Sequence, residues 1–100
     1  MPEHPLKIFE SLDPELFDLV TRNHDLALEA GVLPKKTKLL MALAVDATIK
    51  AAGGVRSLAR QALDAGATKA EIAEALRVAQ YIGGVGSVYT AAEALRDVLR

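Results

Sequence analysis

The sequence predicts an all-α fold, a compact domain of five helices joined by short connections. Three observations carry the expectation. Apolar residues recur at helical spacing along most of the chain, capping patterns stand at "SLDPEL" and "TKAE", and no run of alternating β-branched residues competes with them.

The first helix is expected at "SLDPEL", where Ser11 or Asp13 can cap the free N–H groups, Pro14 suits the first turn and Glu15 favours the positive helix end. It should stop at Gly31, and residues 1–10 precede it as a flexible arm. Its inner stripe reads Phe17, Val20, His24 and Leu28, with Leu16 and Ala27 alongside. The second helix opens at Pro34 with Lys35, Lys36 and Lys38 in its first turn. Positive charge there opposes the helix dipole, so a carboxylate or solvent must offset it. From Leu39 to Ala47 nearly every position is apolar, so this helix should be central or lie in a subunit contact.

Gly53 and Gly54 predict a break or tight turn, because each glycine costs about 1 kcal/mol in a helix interior. The third helix then carries Val55, Leu58, Ala59, Ala62 and Leu63 on one face, and Arg56, Arg60 and Asp64 on the other. Arg60 and Asp64 are spaced to pair, and Gly66 fits the left-handed position just past the helix. Thr68 and Glu71 form a capping box that opens the fourth helix, whose inner stripe is Ile72, Ala75, Leu76 and Ala79. "YIGGVGS" ends it. Ser87 can cap a last helix with Val88, Ala91, Ala92, Leu95 and Val98 or Leu99 facing inward. Alanine on so many inner faces allows close helix approach.

The chain of 100 residues is expected to form a single domain over residues 1–100. A hydrophobic content of 51% exceeds what one small core absorbs, so a partner subunit is expected to cover the excess. A net charge of −1 and an aromatic content of 4% argue against nucleic acid as a partner. "MPEHPLKIFE" has charge and proline where a signal peptide needs an apolar core, and the apolar run from Leu39 to Val45 is shorter than the roughly 20 residues of a membrane span. The expectation is a soluble cytoplasmic protein with no membrane partner. The absence of cysteine excludes disulfides, zinc thiolates and thiol catalysis.

"LPKKTKLLMALAV", "RQALDAGATKAEI" and "AQYIGGVGSVYTAAEAL", in this order between Leu33 and Leu95, resemble the carboxymuconolactone decarboxylase superfamily, which includes the alkylhydroperoxidase D-like proteins. The resemblance implies an alkylhydroperoxidase D-like fold around a central helical hairpin, assembled as a homo-oligomer from trimer to hexamer. In the redox branch of that family a Cys-x-x-Cys pair, a histidine four residues later and a preceding glutamate form a dithiol and its proton relay. The cysteine positions fall here on Ala51 and Gly54, the histidine on Leu58 and the glutamate on Leu39. Peroxide reduction of that kind needs a thiolate and a base to generate it, so thiol peroxidase chemistry is excluded. The decarboxylase branch dispenses with the cysteines but tends to keep a histidine where Leu58 stands.

Among the remaining polar residues, Asp46 sits in the most apolar helix. A buried carboxylate there could move a proton, or it could face a helix end, a partner subunit or Lys50. Arg56 could hold an anionic substrate in a forked contact, or simply be solvated. Tyr81, flanking "IGGVGS" with Gln80 and Tyr89, could donate into a pocket or lie at its rim. His24 on the first helix and His4 in the arm have no companions at metal spacing, so neither a metal nor a cofactor is called for, and His24 reads as an interface residue. "IGGVGS" lacks the strand and lysine of a phosphate loop. Two functions remain: an oligomeric binding or structural protein, or a non-redox decarboxylase or isomerase acting on a small organic acid. In the second, Arg56 would hold the carboxylate while Asp46 or Tyr81 moves a proton.

Overall fold

The computed structural model describes residues 5–99. Its helices are α1 (Phe9–Leu12), α2 (Pro14–Leu28), α3 (Lys35–Thr48), α4 (Ala52–Asp64), α5 (Lys69–Gly83) and α6 (Gly86–Leu95). The described residues thus form six helices, not the five expected. The extra one is α1, where the Leu12 and Asp13 N–H groups donate to Ile8 O and Phe9 O at 3.0 Å. It begins inside the segment read as an arm, of which residues 1–4 lie outside the described residues.

Helices α3 to α6 pack around α3, which touches α2, α4, α5 and α6. Its buried stripe is Leu39, Leu43 and Ala47, one helical turn apart in each step. Facing it are Val55, Ala59 and Ala62 of α4, Ile72 and Ala79 of α5, and Ala91, Ala94 and Leu95 of α6. Val98 and Leu99 close the cluster after α6. The other side of α3 is also apolar but bare: Met41, Val45 and Ile49 are each more than half exposed.

Local signals set most of the boundaries. Asp13 caps α2 by accepting from the Leu16 N–H at 3.0 Å, with Pro14 at the first helical position. The capping box forms as read: Glu71 N–H donates to Thr68 Oγ1 at 3.1 Å, and Thr68 N–H to Glu71 Oε1 at 2.9 Å. The lysines that open α3 find their offset, since Lys36 Nζ lies 3.1 Å from Glu71 Oε2 and Lys38 Nζ donates to Glu29 O at 2.7 Å. The Thr68 backbone bond, followed by the Lys36 bond, holds the Glu71 carboxyl below its ordinary pKa. A depressed carboxylate contributes stability above its unfolded pKa, and that contribution is lost as pH falls through the folded value.

Three expectations are corrected. The break between α3 and α4 falls at Lys50, not at Gly53 and Gly54, which lie within the first turn of α4. Ser87 does not cap α6; it is fully buried one residue inside the helix, and the inward residues are Ser87, Ala91, Ala94 and Leu95 while Val88 and Ala92 are exposed. No Arg60–Asp64 pair forms among the described residues; the helical pair that does form is Asp18–Arg22 at 3.0 Å.

Helix α2 buries none of its residues, although Phe17 and Leu28 are half-covered. Val20 and His24, expected on its inner stripe, are exposed. The radius of gyration of 14.2 Å exceeds the roughly 13 Å of a compact 100-residue domain, as a peripheral α1–α2 unit requires. No helix among the described residues is long and apolar enough to cross a membrane.

Helices α3 and α4 end in the same way. At the first end Ala51 N–H donates to Asp46 O at 2.8 Å and Lys50 N–H to Ala47 O at 3.2 Å; at the second, Ala67 N–H donates to Ala62 O at 2.8 Å and Gly66 N–H to Leu63 O at 3.0 Å. Both are Schellman turns, with the left-handed position held by Lys50 (φ 65°) in one and Gly66 (φ 99°) in the other. Lys50→Gly is therefore expected to raise stability by about 1 kcal/mol and Gly66→Ala to lower it by a similar amount, read from urea unfolding midpoints. Changes of the same sign would mean that the two turns are not alike in solution.

Candidate functional site

The last turn of α3 converges with the start of α4, the end of α5 and the start of α6. Three glycines make this convergence possible. A methyl group built on Gly54 of α4 would collide with the Asp46 carboxylate. One on Gly83 of α5 would lie 2.6 Å from Ser87 Oγ and 2.7 Å from Thr48 Cγ2, and one on Gly86 of α6 would lie 2.6 Å from Lys50 Nζ. Asp46, Thr48 and Lys50 thus each occupy the place of a missing side chain on a neighbouring helix. Lys50 reaches Gly86 because its left-handed backbone turns the chain there. Neither Lys50 nor Asp46 has an ion-pair partner among the described residues, so the Asp46–Lys50 pair considered above does not form.

Asp46 is half-buried, and desolvation raises its pKa above the ordinary aspartate value. An acid whose folded pKa is raised costs stability at neutral pH, and the cost disappears as pH falls through the folded value. No side-chain hydrogen bond reaches its carboxylate among the described residues, so the group depends on its contact with the first turn of α4.

Of the four positions read from the family resemblance, Leu39 and Leu58 pack with aliphatic neighbours. Leu39 is fully buried beside Ala62 and Ala67, with Leu28, Leu40 and Leu58 against them. Leu58 also packs against the main core. Ala51 is the residue before α4 and Gly54 its third residue, so the two still share one helical turn.

The pattern of the carboxymuconolactone decarboxylase family matches residues 14–97. The chain belongs to that family. It is also similar in structure to apo-lpg0406, a carboxymuconolactone decarboxylase family protein from Legionella pneumophila, at 34% identity and a TM-score of 0.85, with 91% of this chain and 81% of that chain covered. No curated protein matches it. The chain is a cysteine-free member of the family with an all-α fold.

The other candidate residues are dispersed. Arg56, half-buried in α4, has no hydrogen-bond or ion-pair partner among the described residues. Tyr81 is 82% exposed and Tyr89 74% exposed, and Gln80 is exposed as well. His24 is exposed with Nδ1 3.2 Å from Asp25 Oδ1, and His4 lies outside the described residues. Asp46, Arg56 and Tyr81 line none of the described surface grooves, which run along α1–α2, between α3 and α5, and beside the α3–α4 contact at Lys35 and Gln61. No three histidines or carboxylates among the described residues are grouped to hold a metal ion.

Sequence reasoning missed Ser87 and Lys50. Ser87 Oγ is buried without a hydrogen-bond partner, an arrangement that costs stability. A serine three residues after "GG" carries the same local signal whether it caps or packs. Ser87→Ala should be neutral or raise stability by up to about 1 kcal/mol in thermal denaturation; a clear loss would show that the hydroxyl is satisfied in solution. The Gly54 contact has a sharper test. Gly54→Ala should destabilise the wild-type chain but stabilise an Asp46→Ala background, where only the roughly 1 kcal/mol helix preference of alanine remains. Equal effects in the two backgrounds, measured by urea unfolding, would remove the contact from the argument.

Proposed function

We propose that this chain is a cytoplasmic, self-assembling member of the carboxymuconolactone decarboxylase family that serves a binding or structural role. The observation that carries the reading is the packing of Leu39 and Leu58 into the core at the positions of the family's relay. Aliphatic side chains at those positions supply no proton donor for the turnover of a small molecule. Self-assembly is supported by the surface: Leu19, Leu26, Met41, Val45, Ile49, Val78 and Ile82 are each more than half exposed on one small chain. Apolar surface of that extent calls for cover.

A second reading is supported by the raised pKa of Asp46. The half-buried carboxyl lies against the first turn of α4, with Arg56 two residues beyond Gly54, and could exchange a proton with a small organic acid held by that arginine. The exposure of Tyr81 weighs against it.

Sedimentation velocity at micromolar concentration is expected to show an assembly of three or more copies. A stable monomer would overturn the self-assembling reading. If the chain turns over a small lactone acid, Asp46→Asn should abolish that turnover while leaving the assembly intact, and unchanged turnover would exclude Asp46 from the chemistry.

A further inference from the structure

Two apolar faces of the chain are uncovered, and their surroundings carry opposite charge. The first is the outer stripe of α2. Phe17 and Leu28 turn toward the body, while Leu19 and Leu26 lie on the opposite side of the helix and Leu16 on its flank, where it shares a groove with Phe9 and Phe17; the three are between 40 and 79% exposed. The second face joins Met41, Val45 and Ile49 of α3 to Val78 and Ile82 of α5. Between the two helices Val45, Val78 and Ile82 line a shallow groove with Ala44 and Thr48.

Residues 5–29 hold Glu10, Asp13, Glu15, Asp18, Asp25 and Glu29 against Lys7 and Arg22, a net charge of −4 with histidine neutral. Residues 30–99 hold nine lysines and arginines against six carboxylates, a net charge of +3. Lys38 stands on the outer side of α3, Lys50 follows its end and Arg77 adjoins Val78; the acids nearby in sequence are Glu74 and Asp46, the latter half-buried against the first turn of α4. Pairing two arms would bring −4 against −4, and pairing two bodies would bring like charge together as well. Pairing an arm with a body covers both apolar faces and matches their charge.

We propose that the α1–α2 arm of one copy seats its Leu16, Leu19 and Leu26 stripe on the α3–α5 face of a second copy. This rests on the self-assembly reading above and adds to it which surface meets which. The contact is heterologous: every copy offers one arm and one receiving face, so copies join head to tail and a ring closes when the rotation permits. Seating within one chain does not compete, because the stripe faces away from its own body.

Complementation between two defective chains tests the proposal. Leu19→Ser/Leu26→Ser disables the arm, and Val78→Ser/Ile82→Ser disables the receiving face; all four side chains are exposed in the single chain, and circular dichroism checks that both variants stay helical. In sedimentation velocity each variant alone should form smaller species than wild type, and the equimolar mixture should form a species containing both chains. A mixture that forms no such species, or an arm-defective chain that loses assembly while the face-defective chain keeps it, overturns the proposal. Salt gives an independent reading. Raising it from about 50 to about 500 mM should weaken the wild-type assembly, since attraction between the charged faces is screened; strengthening would point to like faces and overturn the pairing. A wild-type monomer at every salt concentration would instead overturn self-assembly itself.

Discussion

Burial of the Leu39, Leu43 and Ala47 stripe is the constraint on which the other elements depend. Helix α3 touches four other helices, and each of the three residues is fully buried. Around it the chain has few large side chains to spend. Ala59, Ala62, Ala79, Ala91 and Ala94 fill the facing positions, so the helices must come close to exclude water. Close approach leaves little room at the helix ends, and the glycines at 54, 83 and 86 answer that need. Their placement follows from α3, whose last side chains take the space.

This packing bears on the chemistry. Asp46 leans on Gly54 in the first turn of α4, and Leu39 and Leu58 pack with aliphatic neighbours. Any side chain introduced at position 54 would collide with the Asp46 carboxylate. The raised pKa of Asp46 is the residual cost of placing a carboxylate there.

The capping box, the Asp13 cap, the Gly66 turn and the inner faces of α4 and α5 were legible because each is written within about four residues. The errors share a different cause. Gly53 and Gly54 looked like a break, since a glycine that permits tertiary approach has the same sequence signature as one that permits a turn; the turn itself is closed by Lys50, a residue type that carries no such signal. Ser87 looked like a cap for the same reason. The sequence asked for a carboxylate near Lys35, Lys36 and Lys38, but naming Glu71 required knowing that the start of α5 lies against the start of α3. The candidate site divides likewise: Leu39, Ala51, Gly54 and Leu58 were named from the family resemblance, whereas the dispersal of Arg56 and Tyr81 away from Asp46 depends on which helix faces point outward.

Helix α2 shows where a single chain ceases to explain its own sequence. Fifteen residues form a well-capped helix with two apolar sides, yet only Phe17 and Leu28 gain partial cover. Intrinsic propensity alone is marginal for a helix of that length, and most helical stability in proteins comes from packing one face. A second packed face would hold α2 far more firmly than its few contacts with α3. The same reasoning applies to the outer side of α3, whose apolar residues exceed what the core can use. Cover of the kind proposed above would remove both excesses, and would link the composition of the sequence to the state in which the fold is stable.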